Sequence, residues 1–264
     1  MLYTRVTTFA VNMELGATAT MAIGLVLTLI GYQRQVAMGL VIGLDAVVSR
    51  HYGQATNDGE DQARLLVLNS SYMQAAFAAF SVTFLWIFAE PIFRLWLGDS
   101  LVGSGWEVSQ SVLLFKIMSV GIAARSVSEG WMKFLSGKGE VAAYAPALVV
   151  GGIINVLVLL WTLFYGPEGM ALVLIAASYA VLHVIVQVGV IGWQVSRRLH
   201  LRITNLFFLI SVPFAMAALL AFLCWGFLGD VETLSGAVLA STAVLAFGLA
   251  SLAMMNWVVA KVAS

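Results

Sequence analysis

Apolar residues run along this chain in seven long stretches, and polar residues gather in the short intervals between them. The first stretch extends from about Glu14 to Tyr52, and within it only Gln33, Arg34 and Gln35 form a polar interruption. The stretch is one long tilted helix or two short ones; no proline or turn cluster lies between Tyr32 and Val36, and a reversal inside a bilayer would leave backbone groups unpaired, which favours one. Residues 55–61 (ATNDGED) read as a plain hydrophilic loop, and a second helix follows over about Ala63 to Phe88. Glu90, Pro91, Gly98, Asp99, Gly103 and Gly105 mark a longer connection. A third helix covers about Trp106 to Leu135 and is closed by Ser136, Gly137, Lys138 and Gly139, a glycine-rich stop signal. The fourth runs from about Val141 to Tyr165, turns at Gly166-Pro167-Glu168-Gly169, and passes into a fifth that ends near Val195. After a basic loop with Arg197, Arg198, His200 and Arg202, a sixth helix (about Asn205 to Leu228) and a seventh (about Leu234 to Ala260) are joined by Gly229-Asp230-Val231-Glu232.

Composition makes the bilayer the solvent for these helices. The 264 residues are 61% hydrophobic and 10% charged, with a mean hydropathy of +0.98, where soluble domains carry roughly a quarter charged residues. Each stretch reaches the roughly 20 residues that a helix needs to cross the hydrocarbon core. A barrel would show segments of about 10 residues with alternating polarity. Val141 to Phe164 is apolar on every face instead, so the expected fold is an all-α, polytopic bundle of about seven transmembrane helices.

Other chemistry is sparse. The lone cysteine, Cys224, lies inside an apolar run, which offers neither a disulfide framework nor a cysteine metal cluster. A formal net charge of zero argues against a nucleic-acid surface. There is no HExxH, no Cys/His metal spacing, no GxGxxG and no Walker loop, and Gly103-Ser104-Gly105 sits in a loop, not at a nucleophile elbow. No enzyme activity, cofactor or metal site is expected.

Lysine and arginine in short loops are retained on the cytoplasmic side. With the helices alternating in direction, one side collects Arg50, Arg64, Lys133, Lys138, Arg197, Arg198, Arg202 and Lys261, and the other only Arg5 and Arg94. Eight against two places the loops after helices one, three and five, together with the C-terminus, in the cytoplasm.

An ionisable side chain at the centre of a span costs at least about 2.5 to 3.5 kcal/mol, so each one needs a reason. Six qualify: Arg34, Asp45, Lys116, Arg125, Glu129 and His183. Sixteen residues separate Arg34 from Arg50, which puts Arg34 roughly 24 Å from the cytoplasmic surface at about 1.5 Å per residue. It either faces a cavity, snorkels to the outer surface, or pairs with a carboxylate for packing. Arg125 and Glu129 stand at i and i+4 on one face and can pair, whereas Lys116 is turned about half a revolution away. Arg125, with Ser126 and Ser128 near it, is the better candidate for a cavity; a purely local ion pair is the alternative. Tyr179, His183 and Gln187 form a polar stripe at i+4 steps, which must face other helices or water. Histidine titrates near neutral pH and could couple a proton to movement, while helix packing by hydrogen bonds is the simpler role. Asn155, with Gly151 and Gly152, reads mainly as a close-packing face.

Several segments together resemble one family. Leu15-Gly16-Ala17 with Ala19, followed by a long helix ending in Val47-Val48-Ser49-Arg50-His51-Tyr52-Gly53-Gln54-Ala55, is similar to the second helix of a lobe in the superfamily of multidrug and oligosaccharidyl-lipid flippases. Ala89-Glu90-Pro91-Ile92-Phe93-Arg94-Leu95-Trp96-Leu97-Gly98 resembles that superfamily's connecting segment. Trp131 to Gly139 is similar to its xxxLxGxG loop, and Gly166-Pro167-Glu168-Gly169-Met170-Ala171 to its GxxGxA turn. Order and spacing agree from about Leu15 to Arg202. The resemblance implies two six-helix lobes facing each other across a cavity, with this chain matching the second lobe and two further helices. Residues 1–13 would then be the tail of a truncated helix, 14–202 a five-helix second-lobe bundle, and 203–264 two additional C-terminal transmembrane helices. A missing N-terminal lobe or a partner subunit would face it.

Within the resemblance, the polysaccharide-export branch fits better than drug efflux. Its substrates are lipid-linked glycans bearing pyrophosphate, carried across the cytoplasmic (inner) membrane, and Arg34 and Arg125 suit a diphosphate. Asp45 and Glu129 keep a cation-coupled multidrug exporter as the alternative. A non-transporting scaffold subunit of a glycan-synthesis complex is the third reading. The substrate-binding set implied is Arg34, Asp45, Arg125, Glu129, Tyr179, His183 and Gln187.

Overall fold

A computed structural model describes the backbone of residues 2–53, 57–97, 108–167, 169–228 and 234–263, and their side chains except at 2–7, 14, 15, 18, 57, 58, 97, 224–228, 234–241 and 263. Helix α1 (Leu2–Gly39) runs without interruption through Gln33-Arg34-Gln35, as the lack of a proline or turn cluster there predicts. The long helix expected from Glu14 to Tyr52 is nevertheless in pieces. Gly16 kinks α1 with φ 83°, and the chain turns over residues 40–43 before α2 (Leu44–Gly53) resumes. Gly43 ends that turn at φ 80°, a left-handed conformation that glycine adopts without the Cβ penalty. Tight bonds such as Val41 N to Met38 O (3.2 Å) and Leu44 N to Val41 O (3.2 Å) keep the backbone satisfied through it. The two pieces still make one span.

Helix α3 (Asn57–Ile87) begins inside the segment expected as a loop, because Asn57, Asp58, Glu60 and Asp61 are residues that a helix N-terminus favours. The connection expected around Glu90 and Pro91 likewise holds a helix, α4 (Ala89–Leu97), with Pro91 in its first turn. It buries Ala89 and Phe93 and leaves Leu95 84% exposed. Then come α5 (Val108–Gly137), a 3₁₀ turn (Val141–Ala143) and α6 (Ala145–Tyr165). Next, α7 (Ala171–His183) widens into a π-helical stretch (Val184–Ile191) before α8 (Gly192–Arg198). Helices α9 (Ile203–Leu228) and α10 (Leu234–Ala263) complete the chain. Gly98, Asp99, Gly103-Ser104-Gly105, Trp106, Glu168 and Gly229-Asp230-Val231-Glu232 lie outside the described residues, as do the side chains of Arg5, Glu14 and Cys224.

The described residues contain seven helical stretches long and apolar enough to cross a bilayer, so this is a multi-pass membrane protein of the all-α class. Helix α5 is its axis. Through Leu68, Trp131, Leu209 and Val258, one buried cluster joins α5 to α3, α9 and α10. A second joins α5 to α1, α6 and α7 through Ile23, Phe115, Leu159 and Ile175.

Lipid tails are as apolar as leucine, so helices associate in a membrane through close packing and hydrogen bonds. Both devices are present on α5. A Cβ added at Gly121 would lie 2.9 Å from the Tyr179 ring, and one at Gly137 would lie 2.4 Å from Asp45 O, so α7 and α2 cross α5 nearly in backbone contact. Buried polar side chains then find partners across helices. Trp131 Nε1 donates to Ser71 Oγ (2.7 Å), and Gly130 N donates to Gln74 Oε1 (2.7 Å). Tyr72 donates to Ser251 O (2.8 Å), tying α10 to α3.

Candidate functional site

The deep arginine of the first span meets the two charges of the central helix. Arg34 Nε lies 3.2 Å from Glu129 Oε1, and Arg125 Nε lies 3.3 Å from the same oxygen. The second contact is the i, i+4 pairing on α5 that the sequence allows, and the first fixes α1 against α5. Glu129 is the buried member, with 8% of its side chain exposed, whereas Arg34 and Arg125 keep 34% and 26%. A carboxylate held by two guanidiniums is well compensated, and two cations against one anion leave one net positive charge.

That charge faces a cavity of about 330 Å³, within the roughly 300 to 1,000 Å³ of small-molecule pockets. Arg34 and Gly31 line it from α1, Arg125 and Ile122 from α5, and Gly151, Gly152 and Asn155 from α6. The fourth wall holds Tyr179, His183 and Gln187, all three members of the polar stripe. Tyr179 and His183 stack with ring centroids 4.0 Å apart, and His183 Nδ1 lies 2.9 Å from Tyr179 O. Gln187 is anchored from behind, because Ser128 Oγ donates to its Oε1 at 2.6 Å. Its place in the π-helical stretch, directly after His183, is where the wider i to i+5 turn departs from regular helix. Such π-turns are frequent at functional sites.

Six of the seven residues proposed from sequence are thus brought together, with Glu129 behind the two arginines. Asp45 is not among them. It begins α2, where its Oδ2 accepts from Lys133 Nζ at 3.1 Å. The same end of the bundle carries Glu140 with Lys138 (3.7 Å) and Arg198, and Lys138 stands 4.8 Å from the Tyr52 ring centroid. The turn at 40–43 separates Asp45 from the arginine-bearing part of α1, which removes it from the cavity. Lys116 also lies off the cavity lining, as its half-turn offset from Arg125 requires.

Four further residues line the cavity without having been assigned to it from the sequence: Gly31, Gly151, Gly152 and Asn155. Gly31 precedes Arg34 by three residues on the same helical face and leaves the space that the guanidinium borders. Asn155 and its two glycines serve both roles at once: a Cβ on Gly151 would come 2.8 Å from Val186 Cγ2, yet all three residues face the cavity. Their signal was a single amide in an otherwise apolar span. Among the described residues, no group of three His, Cys, Asp or Glu side chains converges as a metal-ligand set.

No family profile matches the chain, and no characterised protein or solved structure is significantly similar to it.

Proposed function

We propose that this membrane protein is part of a flippase that carries lipid-linked oligosaccharide or polysaccharide precursors across the cytoplasmic membrane. The observation that carries the reading is the pair Arg34 and Arg125 converging on Glu129 at the edge of one polar cavity. A diphosphate carries charge that guanidinium forks match in geometry as well as in sign. Glu129 holds the forks in place while the cavity is empty, and an incoming diphosphate exchanges with it as their partner. Tyr179, His183, Gln187 and Asn155 supply the polar wall against which a neutral sugar can hydrogen-bond. Alternating access needs a second bundle rocking against this one, supplied by a further segment of a longer protein or by a partner subunit. Cation-coupled drug efflux, the alternative within the same superfamily, would need an available carboxylate, but Glu129 is engaged twice and Asp45 faces Lys133.

The test is restoration of surface glycan in a strain lacking its lipid-linked oligosaccharide flippase, with the chain expressed behind a first lobe. Rescue that is lost in the Arg34→Ala/Arg125→Ala version at equal membrane levels is the expected result. Equal rescue by both versions refutes the assignment of these residues.

A further inference from the structure

The two ends of the bundle differ in charge, and around α8, α9 and α10 the difference is extreme. Residues 192–228 and 234–264 contain no Asp or Glu, yet they carry Arg197, Arg198, Arg202 and Lys261. Arg198 is bonded to Glu140. Arg197, in the last turn of α8, and Arg202, in the turn before α9, are exposed. That turn is well defined: His200 adopts φ 52°, and Leu201 N closes back on Ser196 O at 2.9 Å, the six-to-one bond of a helix C-cap.

Aromatic rings lie beneath two of these cations. Arg197 sits 5.0 Å from the Trp193 centroid, and Lys261 sits 5.2 Å from Phe208 and 5.3 Å from Trp257. In both tryptophan pairs the ring precedes the cation by four residues, so each ring lies one turn deeper in its span than the charge. Trp193 is 45% exposed and Trp257 57%. The first two turns of α9 connect the pairs, since Leu206 lies beside Gly192 and Phe208 beneath Lys261.

We propose that this rim binds an anionic phospholipid, its headgroup met by Arg197, Arg202 and Lys261 and its acyl chains lying along Trp193, Phe208 and Trp257. Two features select a lipid over an acidic soluble protein. The cations overhang rings that face the hydrocarbon, so a matching ligand must be anionic at one end and apolar just below it. Indole rings also favour the depth at which headgroup meets chain. The inference rests on the membrane-protein assignment alone and is independent of the cargo.

Brominated lipids quench tryptophan on contact, so the full chain in nanodiscs can be titrated with brominated phosphatidylglycerol or brominated phosphatidylcholine. Half-maximal quenching should need less phosphatidylglycerol. Each of Arg197→Gln, Arg202→Gln and Lys261→Gln should shrink that preference about fivefold, the equivalent of about 1 kcal/mol per cation near an anionic surface. Arg94→Gln, at the other end, should leave it intact. If a variant fails to fold, the wild-type preference should still collapse at about 1 M salt and vanish in Trp193→Phe/Trp257→Phe. Equal half-points for the two lipids, or a preference that survives either the cation substitutions or loss of both rings, overturns the proposal.

Discussion

Arg34 and Glu129, ninety-five positions apart, stand 3.2 Å from each other in the membrane-spanning bundle. This contact joins the first span to the central helix around a carboxylate that is 8% exposed, where an unpaired charge is costly. It also sets an opposition between stability and binding. Glu129 neutralises the two arginines in the empty protein, but its charge competes with an anionic ligand for them.

Glu129→Gln should therefore act in opposite directions on two measurements. Removing one partner of a buried ion pair leaves the others uncompensated, a loss of up to about 3 to 5 kcal/mol when all are buried. The partial exposure of Arg34 and Arg125 reduces this to about 2 kcal/mol, read as a lower thermal midpoint of the purified protein. Affinity for a diphosphate should rise, because the site's net charge goes from one to two. A drop in both would mean that Glu129 contributes to the ligand site directly.

Close crossings on α5 should tolerate no added methyl. Gly121→Ala meets the Tyr179 ring and the Ala180 backbone, and Gly137→Ala meets the Asp45 carbonyl. Overpacking of this kind costs typically 1 to 3 kcal/mol. Gly248→Ala has open space at its Cβ and should be neutral or slightly stabilising. Thermal unfolding of the three variants side by side checks the ranking. A Gly137→Ala protein as stable as wild type would contradict the α2–α5 contact.

These crossings show where the sequence was informative. Seven apolar stretches and the i+4 stripe on the fifth span follow from composition and helical period alone, and both reappear in the structure; Arg34, singled out by its place inside an apolar stretch, pairs with Glu129 at the cavity edge. The breaks in the first span do not follow, because Gly16 and Gly43 resemble ordinary membrane-helix glycines until their positive φ is seen. Asp45 was misplaced by the second break: on an unbroken helix it belongs with Arg34, and in the structure it heads α2 and faces Lys133. Helix α4 was hidden by Pro91, which reads as a breaker yet is at home in a first helical turn. Which face of α6 borders the cavity was also illegible, since small residues serve close packing and open space equally well.

Orientation has its own test. Tyr165, at the far end of α6, is 78% exposed, and Glu60, in the first turns of α3, belongs to the basic end. In a Cys224→Ser background, Tyr165→Cys should react with an impermeant thiol reagent added outside intact cells. Glu60→Cys should react only after permeabilisation. The reverse pattern would invert the topology expected from the arginine and lysine distribution.

The central claim, that Arg34 and Arg125 together receive a lipid diphosphate, is tested most directly by equilibrium binding of an isoprenyl diphosphate to the full chain in detergent, against the isoprenyl alcohol of equal length. The diphosphate should bind and the alcohol should not compete. Arg34→Lys and Arg125→Lys should each weaken binding by about tenfold, since an ammonium keeps the charge but loses the planar fork, while the thermal midpoint stays within a few degrees of wild type. Equal binding of the alcohol, or diphosphate binding unchanged in both lysine variants, would contradict the account.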